Sequence, residues 1–170
     1  MIARTLVVLL LILSLFGCGY HLQGRGDTLP GGVRYVHVAI LQNATLEPFL
    51  ENAVTNALLD RLIRSPGVEL VDTPDRADAL LTGTIVQYSN GAMSYDGSDR
   101  IAEYRSHMTV EVALRHADNA QVLWKGRSSW MEDYVANADK ALENDREQAA
   151  IEEIALRLAD EIYSRMVDDF

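Results

Sequence analysis

Apolar and polar residues alternate along residues 33–41, and this alternation is typical of a half-buried β-strand. Val36, Val38 and Ile40 fall on one parity, whereas Tyr35 and His37 fall on the other. We expect the first parity to face the core, because all three of its side chains are apolar and β-branched. The pattern therefore predicts a first strand at the start of the folded region.

The apolar spacing changes to a helical period after Pro48. Thr45 can cap a helix, and Pro48 lies near its first turn, where a missing N–H costs little. Apolar residues recur three or four positions apart until Ser-Pro-Gly at residues 65–67 ends the run. The stripe consists of Leu50, Val54, Ala57, Leu58 and Leu62. We predict a helix of about five turns, then a short strand over residues 68–71.

Residues 79–89 predict a third strand, and residues 89–100 predict a loop. The strand carries Ile85, Val86 and Tyr88. The residues after it show no apolar period and include two glycines and two aspartates. A loop of this length inside a compact domain is usually functional or mobile.

The clearest alternation covers two consecutive segments, residues 104–115 and 122–134, with a turn around Asp118 and Asn119. Even-numbered residues of one strand must lie opposite even-numbered residues of the other, because a shift by one residue would expose one apolar face. A tight turn then predicts the pairs Leu114 with Trp124, Met108 with Trp130, and Glu111 with Arg127. Both tryptophans are expected in the core, since they share the apolar parity.

Residues 144–167 predict a long final helix. Its apolar stripe consists of Ile151, Ile154, Leu158, Ile162 and Met166. Two amphipathic helices and a sheet with one apolar face can bury one another. The predicted fold class is therefore α+β: a two-layer α/β sandwich with two helices packed on one face of a mixed sheet of about four to five strands.

The first eighteen residues have the pattern of a bacterial lipoprotein signal. Arg4 is followed by an apolar run over residues 6–13 that is too short to span a bilayer, and Gly17 is the small residue before the cut. Cys18 is the only cysteine in the chain, and with Leu15 three positions before it the motif resembles a lipobox. The alternative is an ordinary signal peptide followed by a buried free cysteine.

The lipobox predicts a covalent diacylglycerol on the Cys18 thiol and an N-acyl chain, such as palmitate, on the new amine. Each buried methylene contributes ~0.8 kcal/mol, so two or three chains hold the protein permanently. Gly19 follows the cysteine, instead of the aspartate that retains many lipoproteins at the inner membrane. We therefore expect an outer-membrane location facing the periplasm.

The chain is predicted to have three parts. They are a signal peptide over residues 1–17, a lipidated N-terminus and tether over residues 18–32, and a single domain over residues 33–170.

Composition and motifs argue against several functions. The net charge is −10, with 15 basic and 25 acidic residues, whereas a nucleic-acid-binding surface needs a basic stripe. The four histidines lack metal-ligand spacing, and no nucleophile elbow, P-loop or dinucleotide fingerprint is present. We therefore predict no nucleic-acid partner, no metal, no cofactor besides the covalent lipid, no catalytic residues and no enzyme activity.

Three segments of the chain together resemble the LptE family of outer-membrane lipoproteins that assemble lipopolysaccharide. They are Cys18-Gly19-Tyr20-His21-Leu22, Ala102-Glu103-Tyr104 leading into Met108-Thr109-Val110, and Ala141-Leu142 through Glu147-Gln148. The resemblance implies a two-layer sandwich that lies as a plug in the lumen of an LptD-like outer-membrane β-barrel. It also implies that the protein helps the barrel assemble, contacts lipopolysaccharide in transit and performs no covalent chemistry.

Basic residues on the sheet are candidates for the contacts with the barrel and with lipopolysaccharide. If the hairpin pairs as predicted, the face turned away from the helices gathers Arg105, Arg115, Lys125 and Arg127. There they could contact acidic groups of the barrel wall or lipid phosphates. A solvated face with cross-strand ion pairs, each contributing tenths of a kcal/mol, is an equally open interpretation. The resemblance adds Arg100 and Lys140, two positions where family members tend to carry a base.

A rival interpretation rests on the first half of the chain. Its strand–helix–strand order and the segment over residues 77–84 also resemble lipoproteins that activate peptidoglycan synthases or form secretion pores related to curli export. An activator that crosses the periplasm needs a long disordered arm, and residues 19–32 are too few to supply one. The second half of the chain favours lipopolysaccharide assembly.

The lipobox generates a first prediction. Replacing the acylated thiol, Cys18→Ala, should leave a soluble protein or an unprocessed precursor, because neither lipid attachment nor cleavage can proceed. Membrane fractionation with intact-mass measurement tests this expectation. Full membrane retention of a mature-sized protein would reject the lipoprotein interpretation.

Overall fold

The computed structural model describes residues 28–168, in which two helices pack on one face of a six-stranded mixed sheet. The predicted α+β sandwich is confirmed, and the sheet has more strands than expected. The elements are β1 (Tyr35–Val38), β2 (Gln42–Asn43), α1 (Leu50–Ile63), β3 (Glu69–Leu70), β4 (Ala79–Tyr95), β5 (Ile101–His116), β6 (Val122–Val135) and α2 (Lys140–Asp168). Short 3₁₀ turns occupy Pro30–Gly32 and Pro74–Arg76.

The sheet has a short parallel part and a long antiparallel part. Its strand order is β3-β1-β4-β5-β6, and β2 pairs separately with β4. β1 lies parallel to both β3 and β4, so β1, α1 and β3 form a parallel strand–helix–strand unit. β4, β5 and β6 form an antiparallel meander, so β6 is the outer strand on that side.

The register of the β5–β6 hairpin agrees with the prediction from parity. Leu114 lies opposite Trp124, Met108 opposite Trp130, and Glu111 opposite Arg127. The even-numbered residues of β5 from Met108 to Leu114 are all buried under the helices. Parity alone therefore identified the core face of this hairpin.

The core lies between the helices and the sheet. The α1 stripe contributes Leu58 and Leu62, the α2 stripe contributes Ile154 and Leu158, and each of these side chains is at most 1% exposed. Burying one such side chain contributes roughly 1.5–3 kcal/mol. The predicted stripes of both helices are confirmed, and α2 begins at Lys140 instead of residue 144.

The first strand departs from the predicted alternation after Val38. Ile40 is 71% exposed, whereas Leu41 is buried. The Leu41 N–H donates to the buried Thr55 hydroxyl on α1 at 3.1 Å. This hydrogen bond draws the backbone at Leu41 toward the helix, so the Leu41 side chain faces the core. The expectation that Ile40 faces the core is therefore wrong, because a contact with the helix overrides the local period.

The start of α1 also differs from the prediction. The helix begins at Leu50, and Phe49 precedes it at a φ of 66° without any side-chain cap. The Thr45 hydroxyl instead accepts from the Glu47 N–H at 3.2 Å and donates to the Asn43 side chain at 2.8 Å. Thr45 therefore stabilises the turn before the helix and does not cap it. The 14 residues of α1 make about four turns, not five.

Most of the predicted loop over residues 89–100 is strand. β4 continues to Tyr95, β5 begins at Ile101, and only a short turn separates them. The Asp96 carboxylate closes this turn by accepting from the Ser98 and Arg100 N–H groups at 2.7 and 3.1 Å. The prediction failed because much of this end of β4 is exposed, so no apolar alternation marks it.

The two tryptophans of β6 differ in burial. Trp124 is 5% exposed, whereas Trp130 is 39% exposed, so the expectation of a core position is wrong for Trp130. Trp124 lies against Gly126, and the N-terminal turn at Gly31 packs on the adjacent Leu123. Trp130 lies farther along the same outer strand, which has a strand neighbour on one side only among residues 28–168.

Two glycines of β4 allow a matched stability test. A Cβ at Gly83 would lie 2.9 Å from the Glu111 carbonyl oxygen and 3.1 Å from the Leu41 side chain, whereas a Cβ at Gly91 would meet nothing within 4 Å. Gly83→Ala should lower the free energy of unfolding by roughly 1–3 kcal/mol through overpacking. Gly91→Ala should change it by less than about 1 kcal/mol. Urea unfolding of the full chain in detergent compares them, and equal losses would contradict the close approach at Gly83.

Candidate functional site

Within residues 28–168, one face of β4, β5 and β6 carries no helix, and it is here called the open face. Successive strand residues point to opposite sides, so burial of the even-numbered residues of β5 directs its odd-numbered residues to the open face. The hairpin register then places Lys125 beside Ala113 and Arg127 beside Glu111. The same apolar pattern that builds the core therefore positions the charged side chains outside it.

A groove of about 800 Å³ crosses one end of the open face. Its polar lining comes from β2, β4, β5, β6 and the last turns of α2. We call it the basic groove, because its charged lining among the described residues consists of Arg115, Lys125, Arg127 and Arg165 and a single acid, Glu111. Three of the four basic residues predicted to share this face are thus brought together.

The four cations of the basic groove differ in whether a carboxylate already neutralises their charge. Arg127 pairs with Glu111 at 3.3 Å, and both side chains are more than half exposed. Arg165 donates to the Arg127 carbonyl oxygen at 2.8 Å and lies 3.5 Å from Glu161. Arg115 and Lys125 have no ion-pair partner within residues 28–168. These two side chains can therefore receive an anionic group without losing an existing pair.

Arg105 shares the open face but not the basic groove. It lies six residues before Glu111 on β5, roughly 20 Å along the strand. Its guanidinium donates two hydrogen bonds to the Asp133 carboxylate, at 2.6 and 2.7 Å. These bonds hold the pKa of the Asp133 carboxyl below its usual range. Arg105 therefore lies on the predicted face, but at a distance from the three cations of the groove. The parity rule also places Asp133 directly opposite it.

Arg100 and Lys140 lie outside the basic groove as well. Arg100 pairs with Asp96 at 2.9 Å in the turn between β4 and β5, and its side chain is 79% exposed. Lys140 is the first residue of α2 and pairs with Glu143 one turn later. Hydrogen bonding to Glu143 raises the pKa of the Lys140 ammonium. Each of these cations already has a carboxylate neighbour close in the sequence.

Sequence reasoning missed Arg165 and a polar contact in the core. Arg165 reaches the groove because the last turns of α2 lie beside the outer strand, which no local pattern reveals. On the helix-covered face, the Tyr88 hydroxyl donates to Glu147 at 2.8 Å and lies 3.1 Å from the Ser106 hydroxyl. Burial raises the pKa of the Tyr88 hydroxyl. This contact ties β4 and β5 to α2.

No cluster of three or more His, Cys, Asp or Glu side chains among residues 28–168 is arranged to hold a metal ion. No helix in that range is long and apolar enough to span a membrane. Cys18 and the predicted signal peptide lie outside the described residues, so lipidation stays a prediction.

Several solved structures share this fold at low sequence identity. The uncharacterized lipoprotein B from Nitrosomonas europaea is 16% identical, covers 88% of this chain and 90% of its own, and has a TM-score of 0.54. The rare lipoprotein B from Shewanella oneidensis is 18% identical, with coverages of 76% and 92% and a TM-score of 0.50. The PelC dodecamer from Paraburkholderia phytofirmans is 14% identical, with coverages of 78% and 88% and a TM-score of 0.51. These similarities concern the fold alone.

Sequence comparison identifies the family. No protein with a curated description matches the chain. The model of the family described as "LptE: Lipopolysaccharide-assembly" matches residues 33–166, which include all six strands and most of α2. The resemblance seen in the sequence is thereby confirmed. The chain belongs to the LptE family of lipopolysaccharide-assembly lipoproteins.

Proposed function

We propose that this protein is a lipid-anchored outer-membrane lipoprotein that plugs the lumen of an LptD-like β-barrel and assists lipopolysaccharide assembly at the cell surface. The observation that carries the proposal is the family match over residues 33–166. Cys18, with its diacylglycerol and N-acyl chains, anchors the protein on the periplasmic side. The folded domain then enters the lumen from that side.

The surface chemistry of the domain supports this role. The helices cover only one face of the sheet, so the open face remains polar and charged. The interior of a large outer-membrane barrel is itself polar and hydrated. A plug with a charged face can lie there without leaving buried charges unpaired, which an apolar lumen would not allow.

Within this role, we assign the anion contacts to the basic groove and first to Arg115 and Lys125. Both point into the groove, and neither has a carboxylate partner within residues 28–168. Arg127 is the next candidate, since its pair with Glu111 is exposed and therefore weak. Arg100, Arg105 and Lys140 each hold a carboxylate already, so an incoming phosphate would have to compete with it.

The fold by itself is compatible with the rival role. PelC has the same fold and forms a dodecamer, so this sandwich can also build an assembly of copies. The family match supports lipopolysaccharide assembly over a secretion-pore or synthase-activating role.

Charge reversal in the basic groove tests the assigned contacts. The double variant Arg115→Glu with Lys125→Glu should weaken binding of purified lipopolysaccharide by at least about tenfold, as expected for the loss of two charge-assisted contacts. The matched control is Arg64→Glu, an exposed cation at the end of α1 in the helix layer. Unchanged binding by a double variant that unfolds like the parent protein would contradict the assigned contacts. The groove would then be an ordinary solvated surface.

Purification with the native partner tests the proposed role as a whole. Tagged full-length protein extracted from outer membranes in detergent should retain one large β-barrel protein per copy, measured by mass spectrometry and native mass. A cell-wall synthase, a ring of identical copies or no partner would contradict the plug role. This measurement does not depend on which groove residues bind lipid.

A further inference from the structure

The outer edge of β6 has backbone groups whose direction can be read from three hydrogen bonds. The Ala136 N–H donates to the Ala102 carbonyl at 2.9 Å, so even-numbered residues at this end of the hairpin bond toward β5. The carbonyl oxygens of Arg127 and Val135 both accept from arginines of α2, so odd-numbered residues bond outward. The N–H and C=O of one residue in an antiparallel strand point to the same side.

Two arginine side chains limit the exposed part of this edge. Arg165 donates to the Arg127 carbonyl at 2.8 Å, and Arg146 donates to the Val135 carbonyl at 2.8 Å. Between them, within residues 28–168, the outward N–H and C=O groups of Ser129, Met131 and Asp133 have no partner. The edge therefore offers three donors and three acceptors over roughly 14 Å of strand.

The side chains around this segment are also exposed. Trp130 is 39% exposed on the side of the helices, and Met131 is 50% exposed on the open face. The backbone of another extended chain can pair with these donors and acceptors, because its own groups alternate at the same strand spacing. An apolar side chain is available on each side of the edge to contact that chain. A phosphate or a sugar would satisfy only one or two of these groups.

A second copy of this protein is a poor occupant. Antiparallel self-pairing centred on Met131 would place Arg127 of one copy opposite Val135 of the other at both ends. Arg165 of one copy would then meet Arg146 of the other, which brings two guanidinium groups together twice. Like charges facing each other across paired strands are destabilising. The same two guanidinium groups favour a foreign strand that carries an acidic residue near each end.

We propose that the β6 edge from Ser129 to Asp133 is a strand-addition site, where a short extended segment of the barrel partner pairs with the sheet and places acidic residues near Arg146 and Arg165. The proposal takes its partner from the proposed function and adds the surface that partner contacts. Arg165 borders both sites. The basic groove otherwise consists of side chains on the open face, whereas this site consists of backbone groups on the edge.

Amide hydrogen exchange resolved to single residues tests the site in the full-length protein in detergent. In the isolated protein, the amides of Ser129, Met131 and Asp133 should exchange quickly, and those of Trp130 and Glu132 slowly. In the complex purified with the barrel, the first three should slow by at least about tenfold, since a ladder bond must open before exchange. Slow exchange of the three in the isolated monomer would overturn the proposal, because another segment of the chain would then cover the edge.

The remaining outcomes are separable. The three amides of the isolated protein could instead become protected as the protein concentration rises, together with a dimeric mass. That result would reject the foreign strand and show that a second copy occupies the edge. Fast exchange of the three amides in an intact barrel complex would overturn the site and leave the proposed function standing. Failure to recover any barrel would instead reject the proposed function, and the barrel as occupant with it.

A proline variant gives an independent readout. Met131→Pro removes an outward N–H without breaking a bond to β5, so recovery of the barrel should fall at least tenfold relative to the matched variant Met131→Leu. Unfolding curves of the two variants show whether the domain is intact. If the proline variant unfolds, Met131→Lys keeps the N–H and places a charge on the edge, and it should also reduce recovery. Equal recovery of the barrel with folded variants would overturn the site.

Discussion

The antiparallel pairing of β5 with β6 is the constraint on which the rest of the structure depends. Each pair places an apolar residue against another on the helix-covered face, as Leu114 lies opposite Trp124. A shift by one residue would bury Glu111 and Arg127 and expose the side chains that the helices now cover. Burying unpaired charges costs several kcal/mol each, so the register is strongly specified.

The same register distributes the functional groups. Odd-numbered side chains of β5 and β6 form the open face, and Arg115, Lys125 and Arg127 meet there in one groove. On β6, the odd-numbered residues also turn their backbone groups to the free edge. One strand therefore offers two different surfaces, a set of cationic side chains and a row of peptide groups, and each suits a different kind of partner.

The fold alone does not assign a function. The three similar structures named above are only 14–18% identical to this chain, and one of them is a dodecamer. A sandwich with helices on one face leaves the other face and the outer edge free, and those surfaces can take different partners in different proteins. In this chain, Arg115 and Lys125 of the groove have no ion pair within residues 28–168, and two arginines lie at the ends of the exposed edge.

The sequence by itself determined the helix stripes, the core face and the register of the hairpin, because each follows from a period that burial imposes on neighbouring residues. It also predicted that four basic residues would share the open face, three of which line the basic groove. Only the tertiary structure decided that Ile40 is exposed, that β4 continues to Tyr95, and that Arg165 reaches the groove. These features depend on where the helices lie relative to distant strands, and residues far apart in the chain leave no local period to show it.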